Sequence, residues 1–113
     1  MSNNLSIINP EVRDELNKYV SVLLNAGIKP DKVILFGSYA KGTPHPYSDI
    51  DVAVVSSGFG RDERKEMFLL AKLTRKVSDR IEAIPFEKNY FTKSKYDTLI
   101  GEVKKYGKII YGN

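Results

Sequence analysis

Two stretches decide the fold: Val33-Ile34-Leu35-Phe36-Gly37-Ser38 and Ser48-Asp49-Ile50-Asp51-Val52-Ala53-Val54-Val55. The first is a short continuous apolar run, which reads as a buried strand stopped by a glycine and a serine. In the second, Ile50, Val52 and Val54 alternate with Asp49, Asp51, Ala53 and Val55, the pattern of another strand. Residues two apart on a strand share a face, with Cα atoms about 6.5–7 Å apart at about 3.3 Å per residue. Asp49 and Asp51 therefore stand together on one face, and Ile50, Val52 and Val54 point into apolar packing on the other. Aspartate is disfavoured in strands, so the pair asks for a reason. A strand end at a solvent-exposed edge, with Asp49 capping the preceding turn, is one. A pair of divalent ions about 3.5–4 Å apart is another, since it would relieve the repulsion.

The rest of the chain falls into place around these strands. Upstream, Asn9-Pro10 opens a helix, with Asn as N-cap and Pro at the first helical position. Val12, Leu16, Tyr19, Val20 and Leu23 form its apolar stripe, and Gly27 suits a left-handed C-terminal cap before Pro30. Thr43-Pro44-His45-Pro46-Tyr47 is a rigid loop, and Ser56-Ser57-Gly58 is a turn. Asp62 to Asp79 reads as a helix with Met67, Leu70, Ala71, Thr74 and Val77 inward. Ile81 to Phe86 is a third strand, with Pro85 at its edge. Ser94 starts a further helix, with Asp97 completing a variant capping box. Its stripe is Tyr96, Leu99, Ile100, Val103 and Tyr106. Lys108 to Tyr111 is a fourth short strand. The order αβ(α)βαβαβ predicts one α/β (α+β) domain over residues 1–113, with helices packed on a sheet.

Three pieces carry chemistry. After a buried strand, Gly37-Ser38 lets backbone approach a ligand. The amides that follow can open a short helix and receive phosphate, with the Ser38 hydroxyl and the Lys41 charge nearby; by itself the dipeptide is, in most proteins, simply a turn. Asp49 and Asp51 are the second piece. The third is Glu82, a carboxylate interrupting an apolar strand. It reaches the same ions if its strand lies beside the second one; as an edge-strand residue it would instead face water or pair with Arg80 or Arg75. Elsewhere, His45 reads as a loop spacer. Arg61, Arg64, Lys65, Lys72, Arg75, Lys76 and Arg80 read as the wet face of a helix. Tyr90 and Phe91 read as core or interface.

Taken together, Gly37-Ser38-Tyr39-Ala40-Lys41-Gly42, then Ser48-Asp49-Ile50-Asp51, then Glu82 about thirty residues on, resemble the nucleotidyltransferase superfamily that includes DNA polymerase β. More closely they resemble its small prokaryotic branch, the minimal nucleotidyltransferases (MNT), known as antitoxins of HEPN/MNT pairs. The resemblance implies a small mixed sheet, an ATP substrate and two Mg²⁺ ions. It implies nucleotide binding by Gly37, Ser38, Lys41 and Ser48, and metal binding and catalysis by Asp49, Asp51 and Glu82. It also implies transfer of AMP to a hydroxyl, a tyrosine of a HEPN toxin. Two positions depart from the family pattern: Tyr39 stands where many relatives carry a basic residue, and Glu82 where Asp is common. Two alternatives accompany this reading. One is an antitoxin that neutralises its partner by complex formation alone. The other is a transferase acting on a small molecule such as an aminoglycoside.

Composition narrows these expectations. The chain has 113 residues and no cysteine, which excludes a disulfide scaffold, a zinc finger and thiol catalysis. It has neither a secretory-type N-terminus nor an apolar run of the roughly 18 residues a span needs, so the cytoplasm is the expected address and no membrane is expected. Residues 1–60 carry five basic and six acidic side chains, whereas residues 61–113 carry thirteen and eight. That mild basic excess permits a polyanionic ligand without pointing to nucleic acid. A domain of this length holds the ATP-and-metal half of a transferase with little room for an acceptor site. A partner protein, or a second copy of the chain, is expected to supply the rest.

Overall fold

The computed structural model describes residues 8–44, 48–95 and 98–112. Its elements run α1 (Pro10–Asn25), β1 (Lys32–Phe36), α2 (Ser38–Lys41), β2 (Ile50–Ser56), α3 (Glu63–Thr74), β3 (Ile81–Glu87), α4 (Lys88–Lys93), α5 (Thr98–Tyr106) and β4 (Lys108–Gly112). The strands form one mixed sheet in the order β3-β2-β1-β4. β1 is antiparallel to both its neighbours, and β2 and β3 are parallel. The expected α/β class holds, with helices on both faces of the sheet.

The α1 helix forms as its sequence dictates. The Asn9 side chain accepts from the Glu11 and Val12 amides, and Pro10 occupies the first turn. All five stripe residues are buried. At the far end Gly27 adopts φ +84°, with Ile28 N–H donating to Leu23 O and Gly27 N–H to Leu24 O, a Schellman closure.

The two faces of the sheet differ. Val33 and Leu35 of β1, Ile50, Val52 and Val54 of β2, and Ile81 and Ala83 of β3 pack beneath α1 and α3 in the larger core. The Tyr19 hydroxyl, buried there, donates to Leu70 O at 3.0 Å. On the opposite face Ile34, Phe36, Ala53 and Val55 meet Phe91 of α4 and Ile100 and Val103 of α5 in a smaller core. This second cluster stops short of one end of the sheet, where the aspartates lie.

Three expectations are corrected. The third helix ends at Thr74 and is N-capped by Asp62, so it is shorter than 62–79. It lies against the edge strand β3 and buries only the narrow stripe Leu70, Leu73 and Thr74. Met67 is 42% exposed and Ala71 is exposed, while Val77, beyond the helix end, packs partly on the larger core. Second, Ser94 closes α4 rather than opening the last helix. α4 itself was not expected, because its N-cap is Glu87, which accepts from the Asn89 and Tyr90 amides; glutamate is not a usual capping signal. Third, Leu99 and Tyr106 of the final stripe are exposed, and Ile100 and Val103 carry the packing. Residues 1–6, His45 with its neighbours Pro46 and Tyr47, Tyr96 and Asp97 lie outside the described residues.

Candidate active site

The sheet order assembles the site. Because β1 and β2 are antiparallel, the end of β1 and the start of β2 share one rim, with Phe36 opposite Asp51. Because β2 and β3 are parallel, the start of β3 joins that rim, with Asp51 opposite Glu82. Residues opposite each other in neighbouring strands project to the same face. Both expectations for Glu82 hold: its strand lies beside that of Asp51, and it is also the edge strand of the described sheet, with Glu82 exposed to water.

Gly37 sits at the turn out of β1 with φ +77° and ψ −156°, a backbone region open only to glycine. A Cβ there would overlap the Asp51 carboxylate. The chain thus brings bare backbone against an acid side chain. Ser38 then begins the single turn α2, and no side chain caps it at Gly37.

The carboxylates influence one another. Asp51 is half-buried; desolvation, then Asp49, then Glu102 raise its pKa above the ordinary carboxylate range. Glu82 is raised as well, first by a hydrogen bond with Asp49, then by burial and by the charges of Asp49 and Asp51. Asp49, Asp51 and Glu82 are brought together, and Glu102 of α5 joins them. Sequence reasoning missed Glu102, which carries no local signal at its place on a helix half the chain away.

The remaining predicted residues are placed as follows. Ser48 is half-buried just ahead of Asp49. The Lys41 Nζ lies 3.5 Å from Glu102 Oε1 and 5.0 Å from the centroid of the Tyr106 ring, so α5 holds its charge. Tyr39 accepts a hydrogen bond from the Arg80 guanidinium, which also stands 5.5 Å from the Tyr39 ring centroid. Arg80 had been read as part of a helix's wet face, yet α3 ends before it, and its backbone carbonyl accepts from Ile50 N–H at 2.7 Å. Its Nε is buried without a hydrogen-bond partner among the described residues. A basic group therefore reaches position 39 from another segment.

The donor set suits a hard cation: all oxygen, all carboxylate. Among the described residues no three acid, histidine or cysteine side chains converge into a ready metal cage. Mg²⁺ would be held here by one or two of these carboxylates together with phosphates and waters. No helix of the described residues is long and apolar enough to cross a membrane.

Comparison with known proteins agrees with this fold. Residues 11–110 match the family model described as a nucleotidyltransferase domain. The chain is 31% identical over 99 residues to a Methanocaldococcus jannaschii protein named "Putative protein adenylyltransferase", covering 86% of this chain and 93% of that one. It resembles a crystal structure of a toxin–antitoxin with AMP-PNP, at TM-score 0.64 and 28% identity, over 86% of this chain and 73% of the other. It also resembles a mutant of the toxin–antitoxin MntA–HpeT, at TM-score 0.63 and 26% identity, over the same shares.

Proposed function

Because the chain belongs to the nucleotidyltransferase domain family and is a nucleotidyltransferase of the minimal type, we propose that it transfers AMP from ATP to a hydroxyl, a tyrosine on a HEPN-type toxin. The observation that carries this reading is the register of Asp51 beside Glu82, with Gly37 backing the Asp51 carboxylate. The relatives support the acceptor: one is named for protein adenylylation, and two are toxin–antitoxin proteins.

In this reading Gly37 and Ser38 face the β- and γ-phosphates, with Ser48 and Lys41 beside them. Lys41 leaves Glu102 to do so. Asp49 and Asp51 would hold Mg²⁺, and Asp51 with Glu82 would help hold a second ion. When bound, the ions neutralise triphosphate charge and make the acceptor oxygen a better nucleophile. The acceptor oxygen forms a bond to the α-phosphorus, and the bond from that phosphorus to the bridging oxygen breaks. Pyrophosphate leaves with the electron pair, and the hydroxyl proton passes to the Glu82 carboxylate. The chain's own contribution is position and charge, which dominate phosphoryl-type transfers.

The test is incubation with α-labelled ATP, Mg²⁺ and a HEPN-type toxin. Label should move to the toxin, and Asp51→Asn should abolish the transfer. Transfer that is absent from the native chain, or unchanged in Asp51→Asn, overturns the reading.

A further inference from the structure

Away from the carboxylate rim lies a groove of about 560 Å³ along the far part of β3. β3 is the terminal strand of the sheet, so among the described residues no further strand covers its outer side. Ile84, Pro85 and Phe86 form the groove floor. On one side stands the start of α3 with its preceding turn; on the other are Tyr90, 56% exposed, and Leu99, 36% exposed. Pro85 lacks an amide, so an occupant would be held chiefly through side chains.

The charge of the groove is opposite to that of the chain. The protein carries 18 Lys and Arg and is net +4, yet among the described residues lining the groove the only charged ones are Glu63, Glu66 and Glu87. Two of these are locked in place. Glu66 accepts from the Gly60, Arg61 and Asp62 amides, and Glu87 from Asn89 and Tyr90. Slight burial alone would raise Glu66, but the three amides outweigh it and hold it below the usual range. The Asn89 and Tyr90 amides lower Glu87. Both acids therefore stay ionised, with the Arg61 charge acting on Glu66 and the Lys93 charge on Glu87.

The groove also has a direction. Glu82, Ile84 and Phe86 alternate on one face of β3, the face that carries Asp51 opposite Glu82. Ile84 and Phe86 pack against the smaller core on that face. Four residues of strand separate Phe86 from Glu82, about 13 Å at about 3.3 Å each. A segment of four or five residues lying along β3 would span from the groove to the carboxylates.

We propose that this groove seats an extended apolar segment bearing arginine or lysine, belonging to the protein that accepts AMP, and that the segment runs along β3 to bring the acceptor hydroxyl to Glu82. The proposal rests on the adenylyl-transfer reading and adds the acceptor's binding surface to it. Apolar side chains cover Ile84, Phe86 and Leu99, and the cations face Glu63 and Glu87. Neither Glu63 nor Leu99 is among the residues assigned to the nucleotide or the metal ions; Leu99 stands one turn before Glu102 on α5, so analogue binding is the control for both variants.

The experiment measures AMP transfer to a full-length HEPN-type toxin over a range of toxin concentrations, beside binding of a fluorescent ATP analogue. Leu99→Asp and Glu63→Lys should each raise the KM for the toxin at least tenfold and leave analogue binding within twofold. Toxin variants with single Arg or Lys to Glu changes should then be tested against Glu63→Lys, where one of them should recover transfer. An unchanged toxin KM in both chain variants, with the native chain active, overturns the groove and leaves the reaction standing. Loss of analogue binding in step with transfer also overturns it, because the effect would then be on the nucleotide side. No transfer by the native chain overturns the adenylyl-transfer reading itself, and the groove as an acceptor site falls with it.

Discussion

The two faces of β2 are built from alternate residues of one seven-residue strand, and they do opposite things. Ile50, Val52 and Val54 are fully buried under α1 and α3. On the other side Ala53 and Val55 are buried, but Asp51 stands half-exposed, its pKa raised by burial and by the neighbouring Asp49 and Glu102. One face lowers the free energy of the fold by removing apolar surface from water. The other gives some of that stability up by concentrating like charge. The strand's two-residue period keeps these demands apart, so a change on one face leaves the other readable.

Breaking this separation gives an ordered set of expectations. The largest effect belongs to the charged face: Asp51→Asn should cut AMP transfer by about 10³-fold, about 4 kcal/mol, with a thermal midpoint no lower than that of the native chain. On the apolar face, Leu16→Ala should cost about 2–5 kcal/mol in urea unfolding, with transfer per folded molecule unchanged. A loss of activity in that folded fraction would show the faces to be coupled. Gly37→Ala lies where strand and site meet. It should cost about 1–3 kcal/mol through backbone strain and should also lower transfer, because Asp51 has to move away from the new methyl group.

The smallest effects are in pH dependence, and the signs differ between regions. Burial, Asp49 and Glu102 raise Asp51, and the bond with Asp49 leads in raising Glu82. An acid raised on folding adds stability below its unfolded pKa and loses it as pH climbs through the folded value. Without Mg²⁺ the protein should therefore soften as pH rises from about 4 toward neutral, and Asp51→Asn should flatten that limb in thermal melts. Around the β3 groove Glu66 and Glu87 are lowered. Their contribution is present above the ordinary glutamate pKa and lost as pH falls through the depressed values, so Glu66→Gln should flatten the acid limb instead.

What could be read in the sequence follows from what is local. The α1 stripe was legible residue by residue because a helix against a broad core buries one simple stripe. The strand period placed Asp51 correctly beside β3, whereas Asp49 lies exposed just ahead of β2 rather than within it. Glu82 was legible only conditionally, since strand pairing is a long-range fact. Met67 and Ala71 were misplaced because α3 rests on an edge strand and needs a narrower stripe than the apolar pattern offers. The short helix α4 was hidden by its glutamate cap. Glu102, which holds Lys41, could not be foreseen, because its neighbours in space are remote along the chain.

The central position of β1 bears on how the chain folds. Phe36 and Asp51 pair across 15 residues. Leu35 and Lys108 pair across 73. Closing the longer loop costs roughly 1.4 kcal/mol more in chain entropy. The ladder that carries the turn at Gly37 and the aspartates therefore assembles ahead of β4, and β4 seals an edge that is already formed. In native-state hydrogen exchange, β4 amides should open at lower free energy than those shared by β1 and β2. The rim that performs the chemistry would then be among the earliest parts of the molecule to take shape and among the last to come undone.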